Sequence, residues 1–347
     1  MTSVRGMVLV LAGLAAGCVT PPPAPEADAG PADVDAGADE DAGADAGLAV
    51  VAFNDGYDGH SWVWNNCSRS MRLTGSEPES GGPYPVAIFL VGTNGEYGYP
   101  GIVGYVLPIL ASHGFVAASL EYENGTAFGA AQNCNLYRDN ASCMVRNADD
   151  YADGGTHSAV ARLCSRAKAD CGKGVVLLGH SQGGLTAVQA FQHAPVAPPA
   201  GVPLPRLVAA APMGVGDKGY VAGVQVVDLT SCMDPPSLPV DQDRLLVVNG
   251  ENDKFFGGPA ADQDGGQTEL EAITTLACPR PSWDCRRANG SGYLLVQGAQ
   301  VSSGVAGHEY MSVAPVSFGE PNWISRTNPE PWALDNVAAW LKAQTSP

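Results

Sequence analysis

Among the side chains able to do chemistry, one serine stands in a context that few serines share. The apolar run Val175-Val176-Leu177-Leu178 leads straight into Gly179-His180-Ser181-Gln182-Gly183-Gly184, and Leu185 to Phe191 then carries a helical pattern. A G-x-S-x-G segment between a strand and a helix sets the serine on a sharp, strained turn with its hydroxyl exposed. The glycines two before and two after leave room for the backbones of strand and helix to approach. Gly59-His60-Ser61 repeats the tripeptide, but no strand is expected before it and no glycine follows. Ser181 is the candidate nucleophile, and a serine hydroxyl needs an adjacent base that is itself oriented by a third group.

Chain order then narrows the partners, because acid and histidine follow the nucleophile in sites of this kind. Of the six histidines only His193 and His308 come after Ser181. His193 falls at the end of the helix that starts at the turn, so it is expected to point away from the serine and to act as a C-terminal charge. His308, in Gly304-Val305-Ala306-Gly307-His308-Glu309, lies in a loop beyond the last expected strand and is the candidate base. The acid is expected at the carboxyl end of a strand, which Leu245 to Val248 supplies ahead of Asn249-Gly250-Glu251-Asn252-Asp253. Asp253 is the choice and Glu251 the alternative. In the implied chemistry, His308 takes the Ser181 proton as the hydroxyl attacks an ester carbonyl, Asp253 fixes the imidazole tautomer, and water releases the acyl group. Charge developing on the carbonyl oxygen needs fixed donors. The expected ones are the N–H of Gln182 and, from Gly92-Thr93-Asn94-Gly95, the N–H of Thr93 with Asn94 as alternative.

The elements that must position these groups are legible as apolar runs of strand length: Val86 to Val91, Phe115 to Leu120, Val175 to Leu178, Leu207 to Ala211, Leu245 to Val248 and Tyr293 to Val296. Helical patterns near Ile102 to Ser112, Thr156 to Ala167, Gly184 to Gln192 and Trp332 to Ala343 fall between and after them. Continuous rather than alternating apolar strands point to a mostly parallel sheet buried on both faces, hence an α/β class. Gly214-Val215-Gly216-Asp217-Lys218-Gly219 matches a dinucleotide-binding fingerprint, but the following Gly223 to Asp228 reads as strand where a helix is required. No cofactor and no metal site is expected.

Residues 1–17 have the layout of a secretory signal, with Arg5 ahead of an apolar run from Met7 to Ala16 that is too short to span a bilayer. Leu14-Ala15-Ala16-Gly17-Cys18 resembles a lipobox, which implies a lipid on Cys18 and an outer-membrane or cell-surface lipoprotein, the alternative being a soluble periplasmic or extracellular protein. Residues 18–48, rich in Pro, Ala, Asp and Gly, read as a disordered tether. Residues 49–347 read as one catalytic domain. Of the formal charge of −18, the tether supplies −8 and Arg5 +1, leaving −11 from Leu48 onward, which argues against nucleic acid as a partner. The expected partner is an ester, small or polymeric, membrane contact is expected only through Cys18, and a monomer is expected.

Nine cysteines leave eight once Cys18 is set aside. Spacing suggests Cys134 with Cys143, Cys164 with Cys171 and Cys278 with Cys285, which leaves Cys67 for Cys232.

Together, Val91-Gly92-Thr93, Leu110-Ala111-Ser112-His113-Gly114-Phe115-Val116, Gly179-His180-Ser181-Gln182-Gly183-Gly184, Gly250-Glu251-Asn252-Asp253 and Gly307-His308 resemble the polyester hydrolase, bacterial cutinase and dienelactone-hydrolase branch of the α/β-hydrolases. The resemblance spans most of the chain from Tyr84 onward. It implies an α/β-hydrolase fold, Asp253 as the triad acid and an oxyanion N–H at Thr93. Val91 stands where that branch usually has proline, and the segments 123–151 and 215–243 are longer and bear cysteines. Ester hydrolysis carries over on this resemblance, whereas polyester cleavage does not. Tyr97, Tyr99 and Trp283 are candidates to line a groove for substrate.

Overall fold

The computed structural model describes residues 48–61, 63–125, 134–145, 157–193, 206–221, 224–232, 242–258, 264–312 and 323–346. The segments expected as leader and tether, Cys18 included, lie outside the described residues up to residue 47.

In chain order the strands are β1 (Val50–Ser61), β2 (Asn66–Pro78), β3 (Val86–Leu90), β4 (Val116–Leu120), β5 (Val175–His180), β6 (Leu207–Met213), β7 (Lys218–Val221), β8 (Val224–Asp228), β9 (Leu246–Gly250), β10 (Asp284–Arg286) and β11 (Gly292–Val296). The helices are α1 (Leu107–Ser112), α2 (Cys134–Val145), α3 (Ala159–Cys164), α4 (Gln182–His193), α5 (Gln267–Thr274) and α6 (Leu334–Ala343). Among the described residues nine strands form one sheet, in the order β1-β2-β4-β3-β5-β6-β9-β11-β10. The six from β4 to β11 pair in parallel. Antiparallel strands close both sides, the β1–β2 hairpin at one and β10 at the other.

Burial follows the reason these segments are apolar. Every residue of β3, β4, β5, β6, β9 and β11 is buried, as expected for strands covered on both faces. By contrast β1, with burial varying along Val-Val-Ala-Phe-Asn-Asp-Gly-Tyr-Asp-Gly-His-Ser, is the outermost strand and is partly exposed. Gly59-His60-Ser61 therefore does end a strand, contrary to the sequence expectation. The Gly214 to Gly219 fingerprint opens the β7–β8 hairpin instead of a helix, so it lacks the helix N-terminus that would hold a pyrophosphate.

Two of the expected disulfides form, Cys164–Cys171 and Cys278–Cys285. The other two expected pairings do not, because Cys67 bonds Cys143, and Cys232 is disulfide-bonded separately. The reason is helical geometry. Cys134 and Cys143 both lie in α2; nine residues of helix separate them by about 13 Å along the axis, beyond disulfide reach. The bond that forms instead ties β2 to α2 across 76 residues of sequence, a closure worth about 4 to 5 kcal/mol in the loop-entropy model. Among the described residues no helix is long and apolar enough to cross a membrane.

Candidate active site

Ser181 sits between β5 and α4 with φ +53°, a left-handed conformation that costs a non-glycine residue about 1 to 3 kcal/mol. The turn is held by the Ser181 N–H donating to the Met213 carbonyl at 2.9 Å and by the Leu185 N–H donating to the Ser181 carbonyl at 3.0 Å. Its glycines are there for contact rather than for flexibility. A Cβ on Gly179 would come 2.5 Å from the Gly183 carbonyl carbon, and one on Gly183 would collide with the backbone oxygens of Leu90 and Val91.

The three candidate residues meet. His308 Nε2 lies 2.9 Å from Ser181 Oγ and His308 Nδ1 lies 2.9 Å from Asp253 Oδ2. Asp253 is only 2 % exposed. Its other oxygen, Oδ1, accepts the N–H groups of Phe255 at 2.9 Å and Phe256 at 3.1 Å, so the buried carboxylate is fully engaged and pre-aimed at the imidazole. Glu251, the alternative acid, accepts the Gly298 N–H through Oε1 and does not meet His308. Asn252 between them pins the base loop, with its N–H donating to the Ala306 carbonyl at 2.9 Å and its Oδ1 accepting the Ala306 N–H at 3.0 Å.

The His308 ring is packed between His180, at 4.9 Å between centroids, and Phe255, at 5.0 Å. His180 Nε2 lies 2.9 Å from the His308 carbonyl oxygen. A carbonyl only accepts, so the proton of His180 resides on Nε2. Burial, reinforced by the neighbouring His308, pushes the His180 pKa down to about 4, and the ring is neutral at physiological pH. Sequence patterning could not have assigned this contact, because His180 is the variable position of the motif and its acceptor lies 128 residues away.

The loop after β3 is clamped by a residue with no sequence signal of its own. Asn124 Nδ2 donates to the carbonyls of Gly92 at 3.0 Å and Gly95 at 2.8 Å, and the Asn124 carbonyl accepts the Asn94 N–H at 2.9 Å. That engages Asn94, the alternative oxyanion donor. The N–H groups of Thr93 and Gln182 meet no acceptor among the described residues, while Thr93 Oγ1 donates to Gln182 Oε1 at 3.0 Å and joins the two segments. Ser181, His308 and Thr93 open into a cavity of about 670 Å³ that Tyr99, Ile102 and Phe255 also line. Tyr97 lines an adjoining cavity. Trp283 lines neither; it stands near Gly265, and its carbonyl accepts the Leu295 N–H. His193 ends α4, as expected.

A parallel core sheet, a strand–turn–helix with a left-handed serine, and acid and base on the loops after two later strands together define an α/β-hydrolase fold. No family model matches the chain, and no curated protein matches it. Solved structures resemble it distantly. A dienelactone hydrolase-like promiscuous phosphotriesterase, P91 from metagenomic libraries, is 16% identical over 85% of this chain and 96% of its own, with a TM-score of 0.46. A fungal esterase from Rhizomucor miehei is 10% identical over 86% of this chain and 84% of its own, also at 0.46. Esterase Est22 is 11% identical over 58% of this chain, with a TM-score of 0.37, and the chain spans 63% of its length.

Proposed function

We propose that this protein is an exported serine ester hydrolase, with Ser181 as nucleophile, His308 as general base and then acid, and Asp253 as the carboxylate that holds the imidazole. As Ser181 Oγ attacks the ester carbonyl, its proton passes to His308 Nε2, and the negative charge on the carbonyl oxygen is met by the N–H groups of Thr93 and Gln182. The alkoxide leaves with the proton from Nε2, and a water activated by the same nitrogen releases the acid. The single observation that carries the reading is the continuous relay Asp253 Oδ2, His308 Nδ1, His308 Nε2, Ser181 Oγ, with 2.9 Å at each junction. Three disulfides among the described residues favour an oxidising compartment, in line with the leader and a lipidated Cys18.

A panel of p-nitrophenyl esters of graded chain length tests the activity, with fluorophosphonate labelling as a probe of the serine that needs no substrate. Turnover and labelling at Ser181 are expected. If the folded protein neither hydrolyses an ester nor reacts with the probe, the domain is a binding module on this scaffold. The same panel with anilides and with alcohol acceptors separates hydrolysis of esters from amidase, peptidase and acyltransferase chemistry on the same residues.

A further inference from the structure

A second cavity, of about 660 Å³, adjoins the one that holds Ser181, and Val91, Gly95 and Glu96 line both. Its walls differ in kind from those at the serine. Arg72 Nε meets Glu121 Oε2 at 2.9 Å, Arg69 Nη1 meets Glu123 Oε1 at 3.2 Å, and Glu123 Oε2 is fixed from below by His60 Nδ1 at 2.7 Å. The Arg72 guanidinium carbon lies 5.3 Å from the centre of the Tyr97 ring. Both arginine side chains remain more than half exposed, at 53% and 72%, so donors not engaged by the carboxylates face the opening.

We propose that this cavity is a subsite for the polyhydroxylated alcohol portion of an ester, a glycoside or other polyol whose acyl group reaches Ser181; this rests on the ester-hydrolase reading. Three arguments favour that occupant. Glu96, Glu121 and Glu123 outnumber Arg69 and Arg72 in the lining, and each arginine already has a carboxylate, so an anionic group would meet a net negative wall. An alkyl chain would strip water from these charged groups, a cost that Val91, Leu120 and Leu136 in the same lining offset only in part. A hydroxyl both donates and accepts, so donors and acceptors held side by side by their own ion pairs satisfy it without rearrangement, while Tyr97, with the Arg72 guanidinium over its ring, lines the same cavity. The volume lies within the range of ordinary ligand sites. A polyol also enters an ester as its alcohol, which fits a pocket set beside, and not within, the serine cavity.

The test uses acetates that share one acyl group and differ in alcohol: ethyl acetate, octyl acetate and cellobiose monoacetate. The kcat/KM for the cellobiose ester should exceed that for ethyl acetate by about tenfold, what two hydrogen bonds of ordinary net strength supply. Tyr97→Ala and Arg72→Met should each erase most of that advantage and leave ethyl acetate within about twofold of wild type. An advantage for the octyl ester, equal rates on all three acetates, or equal losses on both esters in the variants would overturn the subsite. If no acetate is hydrolysed, the ester-hydrolase reading fails separately. Cellobiose titrated into Ser181→Ala and followed by NMR then reads the subsite alone: saturable shifts that vanish with Tyr97→Ala uphold it, and their absence removes it.

Discussion

Gly59-His60-Ser61 and Gly179-His180-Ser181 put the same three side chains in one chain, and the fold uses them for different ends. In the first copy Ser61 closes β1, the outermost strand, and its Oγ accepts the Trp64 N–H at 3.4 Å. His60 is buried against the carboxylate of Glu123, and Gly59 leaves space for a side chain, since a Cβ there would come 2.5 Å from Met71 Cγ. In the second copy Ser181 is driven to φ +53°, His180 faces a backbone carbonyl, and Gly179 leaves space for backbone. A serine becomes a candidate nucleophile through the strain and neighbours imposed on it, and the tripeptide contributes little by itself.

The largest expected effect breaks the comparison directly. Ser181→Ala should lower kcat/KM on a p-nitrophenyl ester by about 10⁴- to 10⁶-fold without unfolding the chain, because Ala fits the turn; Ser61→Ala should leave the rate within about twofold. Comparable losses in the two variants, measured alongside their thermal unfolding, would remove the distinction. Next in size, Asp253→Asn should cost about 10³- to 10⁴-fold in kcat by leaving His308 in the wrong tautomer. Glu251→Gln should cost far less, because Glu251 Oε1 serves only the Gly298 N–H. A larger loss in Glu251→Gln would exchange the acid.

The glycines give a smaller, structural contrast. In Gly183→Ala the new methyl meets the carbonyl oxygens of Leu90 and Val91, which belong to β3 and its exit and have nowhere to go. It should cost about 3 kcal/mol or more, with activity lost alongside. In Gly59→Ala the methyl meets the buried side chains of Met71 and Tyr57 instead of backbone, so the cost should be smaller, about 1 to 2 kcal/mol, with turnover kept. Urea midpoints of the two variants, converted with a common slope, test the order.

What could be read from the sequence was what local pattern encodes. The six parallel strands are predominantly apolar runs, the turn at Ser181 has its glycines, and chain order left one usable histidine. The β1–β2 hairpin was not legible, because Asn54, Asp55, Asp58, Arg69 and Arg72 interrupt its apolar residues and its strands pair at an edge where one face suffices. Asn124 and His180 gave no signal because their partners are backbone carbonyls, which every residue possesses. Cys67–Cys143 was missed for the related reason that short spacing was favoured, whereas α2 holds its two cysteines apart.

The remaining expected effect concerns pH and is carried by His180. An unfolded chain protonates a histidine near pH 6.5, whereas burial beside His308 holds His180 down to about 4 in the folded protein. Between those values the unfolded state binds more protons, so stability is full above about pH 6.5 and falls as the pH drops toward 4. The loss should approach on the order of 3 kcal/mol at the lower end. His180→Gln keeps an N–H able to reach the His308 carbonyl and removes the titration, so its stability should fall less over the same window. Urea unfolding of both proteins at half-unit pH steps, read by tryptophan fluorescence, gives the difference between the curves. A difference that opens from pH 6.5 downward assigns the acid sensitivity to the histidine of the strained copy. Parallel curves would mean that His180 takes its proton as readily folded as unfolded, and that the carbonyl of His308 is held by something other than this ring.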